Sequence, residues 1–154
     1  MKQLWLRRIN HDRLIMKYKL VKVDWREESK KKDRERAFLI DWLVKIHVHD
    51  ELKPETLHLA VAILDKGLLQ LDIYDKMQMY TIGLTALFIA SKYEEVDSLT
   101  MQDLLRLAKP YNLKFNLEDI FEYEVNLLLL NDFDLRLATS QQFFEIFANK
   151  VEAK

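Results

Sequence analysis

Four histidines, 25 carboxylates and no cysteine are the raw material for chemistry in this chain of 154 residues. The histidines are His11, His47, His49 and His58, and the pair at 47 and 49 stands two residues apart. On a helix that spacing turns the two rings roughly 200° from each other, so they cannot close on one metal ion. The i, i+4 pairing of a helical zinc site is missing, and without cysteine there is no thiolate ligand, disulfide or sulfur nucleophile. No metal or cofactor is expected. The two glycines, Gly67 and Gly83, lie too far apart to build a phosphate-cradling loop or a nucleophile elbow. Glu94-Glu95 and Glu122/Glu124 read as ordinary helix-surface charge rather than as a general acid and base. The chain reads as a binding protein, not an enzyme.

The elements that must position any binding residues are helical. From Met77 to Ser91 the chain runs fifteen residues without a charge and then closes with Lys92-Tyr93-Glu94-Glu95. A helix so apolar needs cover on nearly every side. At a rise of roughly 1.5 Å per residue it is about 22 Å long, short of a bilayer's ~30 Å core, and it carries Gln78, Thr81 and Thr85. It reads as a buried central helix. Gly83, Ala86 and Ala90 fall on one stripe, where a second helix backbone can approach closely.

Composition agrees: 49% hydrophobic residues supply a core, and two glycines with two prolines are too little punctuation for sheets. The expected class is all-α. The N-terminus lacks the apolar stretch and cleavage site of a secretory signal, so a nuclear or cytoplasmic protein is the default expectation. Charge is asymmetric, with 13 Lys/Arg against 6 Asp/Glu over residues 1–36 and 11 against 19 over residues 37–154. The basic arm, including Lys30-Lys31-Lys32, reads as a solvated segment, because acidic residues are interleaved with it. An acidic body argues against nucleic acid as the partner.

Residues 1–33 are mixed, with a short amphipathic helix around Asp12 to Tyr18. A helix is predicted from Arg34 to about Val48, with a wide apolar face of Ala37, Phe38, Leu39, Ile40, Trp42, Leu43, Val44 and Ile46. Pro54 opens the next, with Glu55 in its first turn and a stripe of Leu57, Val61, Leu64, Leu68 and Leu71. The central helix spans about Asp75 to Glu94. A fourth starts at Thr100, boxed with Asp103, and stops before Pro110, whose preceding residue is expected to leave the α region. A fifth runs from near Asn116 to about Asn131 with Glu118 and Asp119 in its first turn. Thr139 and Gln142 form a box ahead of Phe143, Phe144, Ile146 and Phe147, opening a sixth.

Several of these segments, taken in order, resemble one family. Arg36-Ala37-Phe38-Leu39-Ile40-Asp41-Trp42-Leu43-Val44 looks like the M-R-A-I-L-x-D-W-L signature that opens the cyclin box. Leu52 to Val61 resembles its second-helix motif, and G-L-T-A-L-F-I-A-S-K-Y-E-E from Gly83 to Glu95 is similar to the third helix of mitotic A- and B-type cyclins. Tyr123-Glu124, Leu127-Leu128 and Asn131-Asp132-Phe133-Asp134-Leu135 resemble the fifth helix and its exit. The resemblance implies a basic segment over 1–33, a five-helix cyclin box over 34–139, and a trailing helix over 140–154 like the start of a second box. That trailing helix has an aromatic face, Phe143, Phe144 and Phe147, that either folds back on the body or stays open to a partner or a further domain.

Cyclins bind and activate cyclin-dependent protein kinases by docking on the kinase's mobile helix, so the resemblance implies such a kinase as partner in a heterodimer. By the same resemblance Lys92 and Glu124 match the lysine and glutamate that hydrogen-bond the kinase backbone, amid Phe88, Ile89, Phe121 and Tyr123. The residues alone favour a mutual pair or two solvated charges, because exposed Lys and Glu are the commonest surface residues and such pairs are worth little. Arg36 and Asp65 match a structural pair between helices one and two. The substrate-docking patch of the family is degenerate here: Glu35, Phe38, Leu39, Trp42 and Lys45 stand in it. Lys45 occupies a position that is acidic in cyclins recruiting R-x-L motifs, so loss of R-x-L docking is expected. Two other readings go with the resemblance, a cyclin-fold transcription adaptor and a kinase-binding protein that does not activate.

Overall fold

The computed structural model describes residues 27–71 and 75–152, with side chains from 33 to 71 and from 75 to 151. The helix expected around Asp12 to Tyr18 lies outside the described residues. Six α-helices follow one another: α1 (Glu27–His49), α2 (Pro54–Gln70), α3 (Lys76–Glu94), α4 (Met101–Ala108), α5 (Leu117–Leu130) and α6 (Ser140–Glu152), with a 3₁₀ turn (Lys109–Tyr111) after α4. No strand occurs among the described residues. The chain divides into two units, Met1–Glu35 and Arg36–Lys154. Of the first, the described part is the opening of α1; the second contains everything that follows.

The helix α1 begins at Glu27, seven residues before the expected Arg34. Nothing from Glu27 onward breaks it, since no Gly or Pro intervenes, and Glu27 and Glu28 suit the electropositive end of a helix. Its buried face is narrower than the apolar run suggested. Leu39, Trp42, Leu43 and Ile46 are buried at i, i+3, i+4 and i+7, whereas Phe38 and Val44 face outward.

Burial of α3 is continuous from Thr81 to Ser91. Its start is fixed by a capping box, Asp75 accepting from the Gln78 amide and Gln78 reaching back to the Asp75 amide. Thr81 and Thr85 cause no polar penalty, because each hydroxyl donates to the carbonyl four residues earlier, at 2.9 and 2.8 Å. The small stripe works as expected at Gly83: a Cβ there would stand 2.8 Å from Cδ1 of Leu39, so α1 closes onto α3 through a leucine seated where a side chain is missing. Gly67 plays the same part on α2, where a Cβ would stand 2.7 Å from Cδ2 of Leu127 on α5.

The stripe predicted for α2 is rotated. Thr56, Leu59, Ala60, Ile63, Leu64 and Gly67 are buried; of the expected set only Leu64 is among them, and Leu57, Leu68 and Leu71 pack at the core's margin. A stripe drawn through the leucines passes over the small residues Thr56, Ala60 and Gly67, which the close α2–α3 and α2–α5 contacts select.

Helix α4 starts with the Thr100–Asp103 box. Its end departs from expectation, because Lys109, before Pro110, keeps α-region angles of φ −57° and ψ −45°. Proline sits at the start of a 3₁₀ turn, where no amide proton is needed, and the reversal comes later at Asn112, with φ 53°. Asn116 caps α5, and Thr139 and Gln142 cap α6 reciprocally at 3.4 Å. The aromatic face of α6 stays open: the helix approaches α2, yet Phe143, Phe144 and Phe147 are all exposed.

Candidate functional site

Two helices bring Lys92 and Glu124 together across 32 residues of sequence. Lys92 lies in the last turn of α3, and its Nζ donates to Oε1 of Glu124, midway along α5, at 2.6 Å. The ammonium also stands 3.8 Å over the Phe88 ring, whose π face attracts it from below. Lys92 keeps 43% of its side-chain surface open while Glu124 keeps 15%, so the carboxylate is held in a recess and the lysine forms its rim. A single charged contact with one partner exposed stabilises a fold by only about 0–1 kcal/mol. Held in place with donors and lone pairs to spare, such a pair is well suited to bond backbone groups of an incoming protein.

The apolar residues predicted around this pair divide by burial. Phe88 and Ile89 are core residues, 5% and 3% exposed, and support the pair from beneath. Phe121, one turn before Glu124, is 54% exposed and lies at the surface. Tyr123 is only partly exposed, and its phenol is pushed up by burial first and then by Asp119, Glu122 and Asp75. Glu124, the next residue, reaches Lys92 at the end of α3 instead.

Sequence reasoning missed two surface aromatics. Tyr93 follows Lys92 and is half exposed. Phe133 leaves α5 with φ 53°, a left-handed conformation costly for a bulky residue, and its amide donates to the Leu128 carbonyl at 2.9 Å. Its ring is 64% exposed. The N-D-F-D run just past the helix end was the sequence signal for this strained, exposed aromatic.

Glu95, a surface charge by the sequence pattern, is engaged within the fold. Its Oε1 accepts from the Lys53 amide at 2.7 Å and from the Thr56 hydroxyl at 2.5 Å, while Lys53 Nζ donates to the Glu94 carbonyl at 2.6 Å. The end of α3 is thereby clasped to the start of α2.

The second pair, Arg36 and Asp65, joins α1 to α2 through a fork: Nε to Oδ1 at 2.5 Å and a terminal guanidinium nitrogen to Oδ2 at 2.7 Å. Of the five residues of the degenerate patch, Leu39 is seated on Gly83 in the core, while Phe38, Trp42 and Lys45 line one cleft with Asp41, Lys76, Tyr80 and Tyr111. Among the described residues no helix is long and apolar enough to cross a membrane.

Comparison with known proteins bears on this arrangement. The family described as "Cyclin, N-terminal domain" matches residues 9–136. Cyclin-B2-1 of Arabidopsis thaliana is 30% identical over 142 residues, covering 92% of this chain and 32% of the relative. G2/mitotic-specific cyclin-B1 of Caenorhabditis elegans is 37% identical over 108 residues, 70% of this chain and 29% of the relative. This chain therefore spans about a third of the length of these relatives. Among solved structures, a viral cyclin from herpesvirus saimiri superposes with a TM-score of 0.63 at 22% identity, covering 77% of this chain and 50% of that one, a likeness of fold.

Proposed function

This chain belongs to the cyclin family, and on that premise we propose that it is a regulatory subunit that binds a cyclin-dependent serine/threonine protein kinase and shifts it toward the active state. The observation that carries this reading is the Lys92–Glu124 pair at 2.6 Å, with the lysine open to solvent and exposed aromatics near each member in sequence, Tyr93 next to Lys92 and Phe121 one turn before Glu124. Accessible charge accompanied by aromatic anchors has the make-up of an interface core. Lys92 offers donors to backbone carbonyls and Glu124 accepts from backbone amides, so together they grip a segment by its main chain and tolerate variation in its side chains. Activation follows when the gripped segment is a kinase helix with two positions, only one of which makes these contacts: the contact free energy then biases that equilibrium.

The test is co-purification of the chain with a cyclin-dependent kinase, followed by phosphorylation of a histone-type substrate. Lys92→Ala combined with Glu124→Ala is expected to lower the kinase affinity at least tenfold and phosphorylation with it, at unchanged helix content. Unaltered kinase binding by the double variant overturns the site assignment. Binding without any gain in phosphorylation overturns activation and leaves a non-activating partner.

A further inference from the structure

Lys92 is held from two sides that differ in kind. Glu124 attracts its ammonium from another helix at 2.6 Å, while the Phe88 ring lies beneath it on the same helix, its centroid 3.8 Å from Nζ. Side chains on a helix lean toward its N-terminus, so a lysine four residues after an aromatic lies back over the ring, and one four residues before it leans away. Both orders occur on α3. Lys92 follows Phe88 and closes to 3.8 Å, whereas Lys76 precedes Tyr80 and stays 5.6 Å from that centroid. Attraction between a cation and a ring face reaches to about 6 Å and weakens steeply with distance, so the Phe88 contact is the strong one of the two.

Burial decides what Phe88 can do. The ring is 5% exposed, so a partner arriving at this surface meets the ammonium standing on it and not the ring itself. The two holds on that ammonium also differ once a partner is present. Each amide that Glu124 accepts from draws on lone pairs that otherwise face Lys92, whereas the ring has no hydrogen bond to share out. Salt screens the ion pair, while the contact with the buried, uncharged ring is screened far less.

We infer that Phe88 is a positioning residue for Lys92: resting on the reading of Lys92 and Glu124 as a kinase-binding pair, this adds to it a residue that the kinase does not touch. The π face orders the ammonium before the partner arrives and keeps it ordered while Glu124 is engaged. A lysine is among the side chains that lose most freedom when fixed, so one fixed beforehand enters the contact at lower entropic cost.

The experiment replaces Phe88 in the full chain, by site-specific incorporation, with mono-, di- and trifluorinated phenylalanine. Fluorine draws electron density from the ring face at nearly constant shape, so attraction for a cation falls stepwise while packing is kept. The Kd for a cyclin-dependent kinase is expected to rise along the series, by about three- to tenfold at the trifluorinated ring, with helix content and Tm unchanged. In a Lys92→Ala background the same series should be flat. A second readout needs no kinase: by NMR of the chain alone, the Lys92 ε-methylene protons should lie upfield of their ordinary position, and should stay there in Glu124→Gln and at 0.5 M salt. A flat series in the unaltered background, an equal rise in the Lys92→Ala background, or ε-protons that return to their ordinary position in Glu124→Gln each overturns the inference. The kinase reading fails by a different result, unaltered binding by Lys92→Ala with Glu124→Ala.

Discussion

The pairs Arg36–Asp65 and Lys92–Glu124 each tie one helix to another, and they are built differently. Arg36 meets Asp65 with both sides of its fork, so direction and distance are both fixed between α1 and α2. Lys92 meets Glu124 with one ammonium contact, over an aromatic ring, and leaves donors and a lone pair unused. A forked contact spends its hydrogen-bonding capacity internally and acts as a brace. A single contact above an aromatic floor holds charges ready for a second partner. Similar distances, 2.5 and 2.6 Å, thus accompany different geometries, and the difference lies in how many polar atoms remain open.

The sharpest way to break that contrast is Lys92→Glu, which sets like charges beside Glu124 at the proposed kinase surface. Kinase affinity should fall about 100-fold, or ~2.7 kcal/mol, while Tm moves by less than about 2 °C. A collapse in Tm of the same order as the affinity loss would make both pairs braces. Next in size is Arg36→Ala. It should cost about 1 kcal/mol, lowering Tm by roughly 2–4 °C in calorimetry, with kinase affinity unchanged. Arg36→Lys keeps the charge but loses the fork, and should lie between.

A purely local contact sharpens the comparison further. The Asp103 carboxyl is held low, first by the Thr100 hydroxyl and then by the Thr100 amide. Its contribution to stability is therefore present above the ordinary value of 3.8 and is lost as pH falls through the lower, folded value. Thr100→Ala should destabilise by roughly 0.5–1 kcal/mol near neutrality and raise the Asp103 titration measured by NMR. Below the folded pKa much of the difference between the two proteins should vanish. The smallest effect belongs to Tyr123, whose phenol is raised from 10.0 by burial. Stability from that source is present below pH 10 and lost as pH rises through the folded value, so alkaline melting should flatten in Tyr123→Phe while kinase affinity at neutral pH stays the same.

What the sequence made legible was what is local. The boxes at Thr100–Asp103 and Thr139–Gln142 and the Asn116 cap need only two or three residues to declare themselves, and the charge-free run ending at Ser91 announced its burial by composition. The Asp75–Gln78 box was equally local and was overlooked beside that run. Lys92 and Glu124 were singled out through the family's motifs, not through any pattern in this chain. Contacts across long separations were out of reach: Glu95 meets Thr56 over 39 residues, and a pair of glutamates at a helix end carries no sign of it. The rotated face of α2 failed for a related reason. Its buried positions are chosen by what packs against them, and Gly67 is buried because Leu127 of another helix fills the space beside it.

The clasp at Glu95 has a mechanical consequence. It lies three residues beyond Lys92 and is moored to the first turn of α2, so a load on the lysine is shared by two helices rather than bending the end of one. Whatever seizes Lys92 takes hold of the scaffold and not of a loose thread.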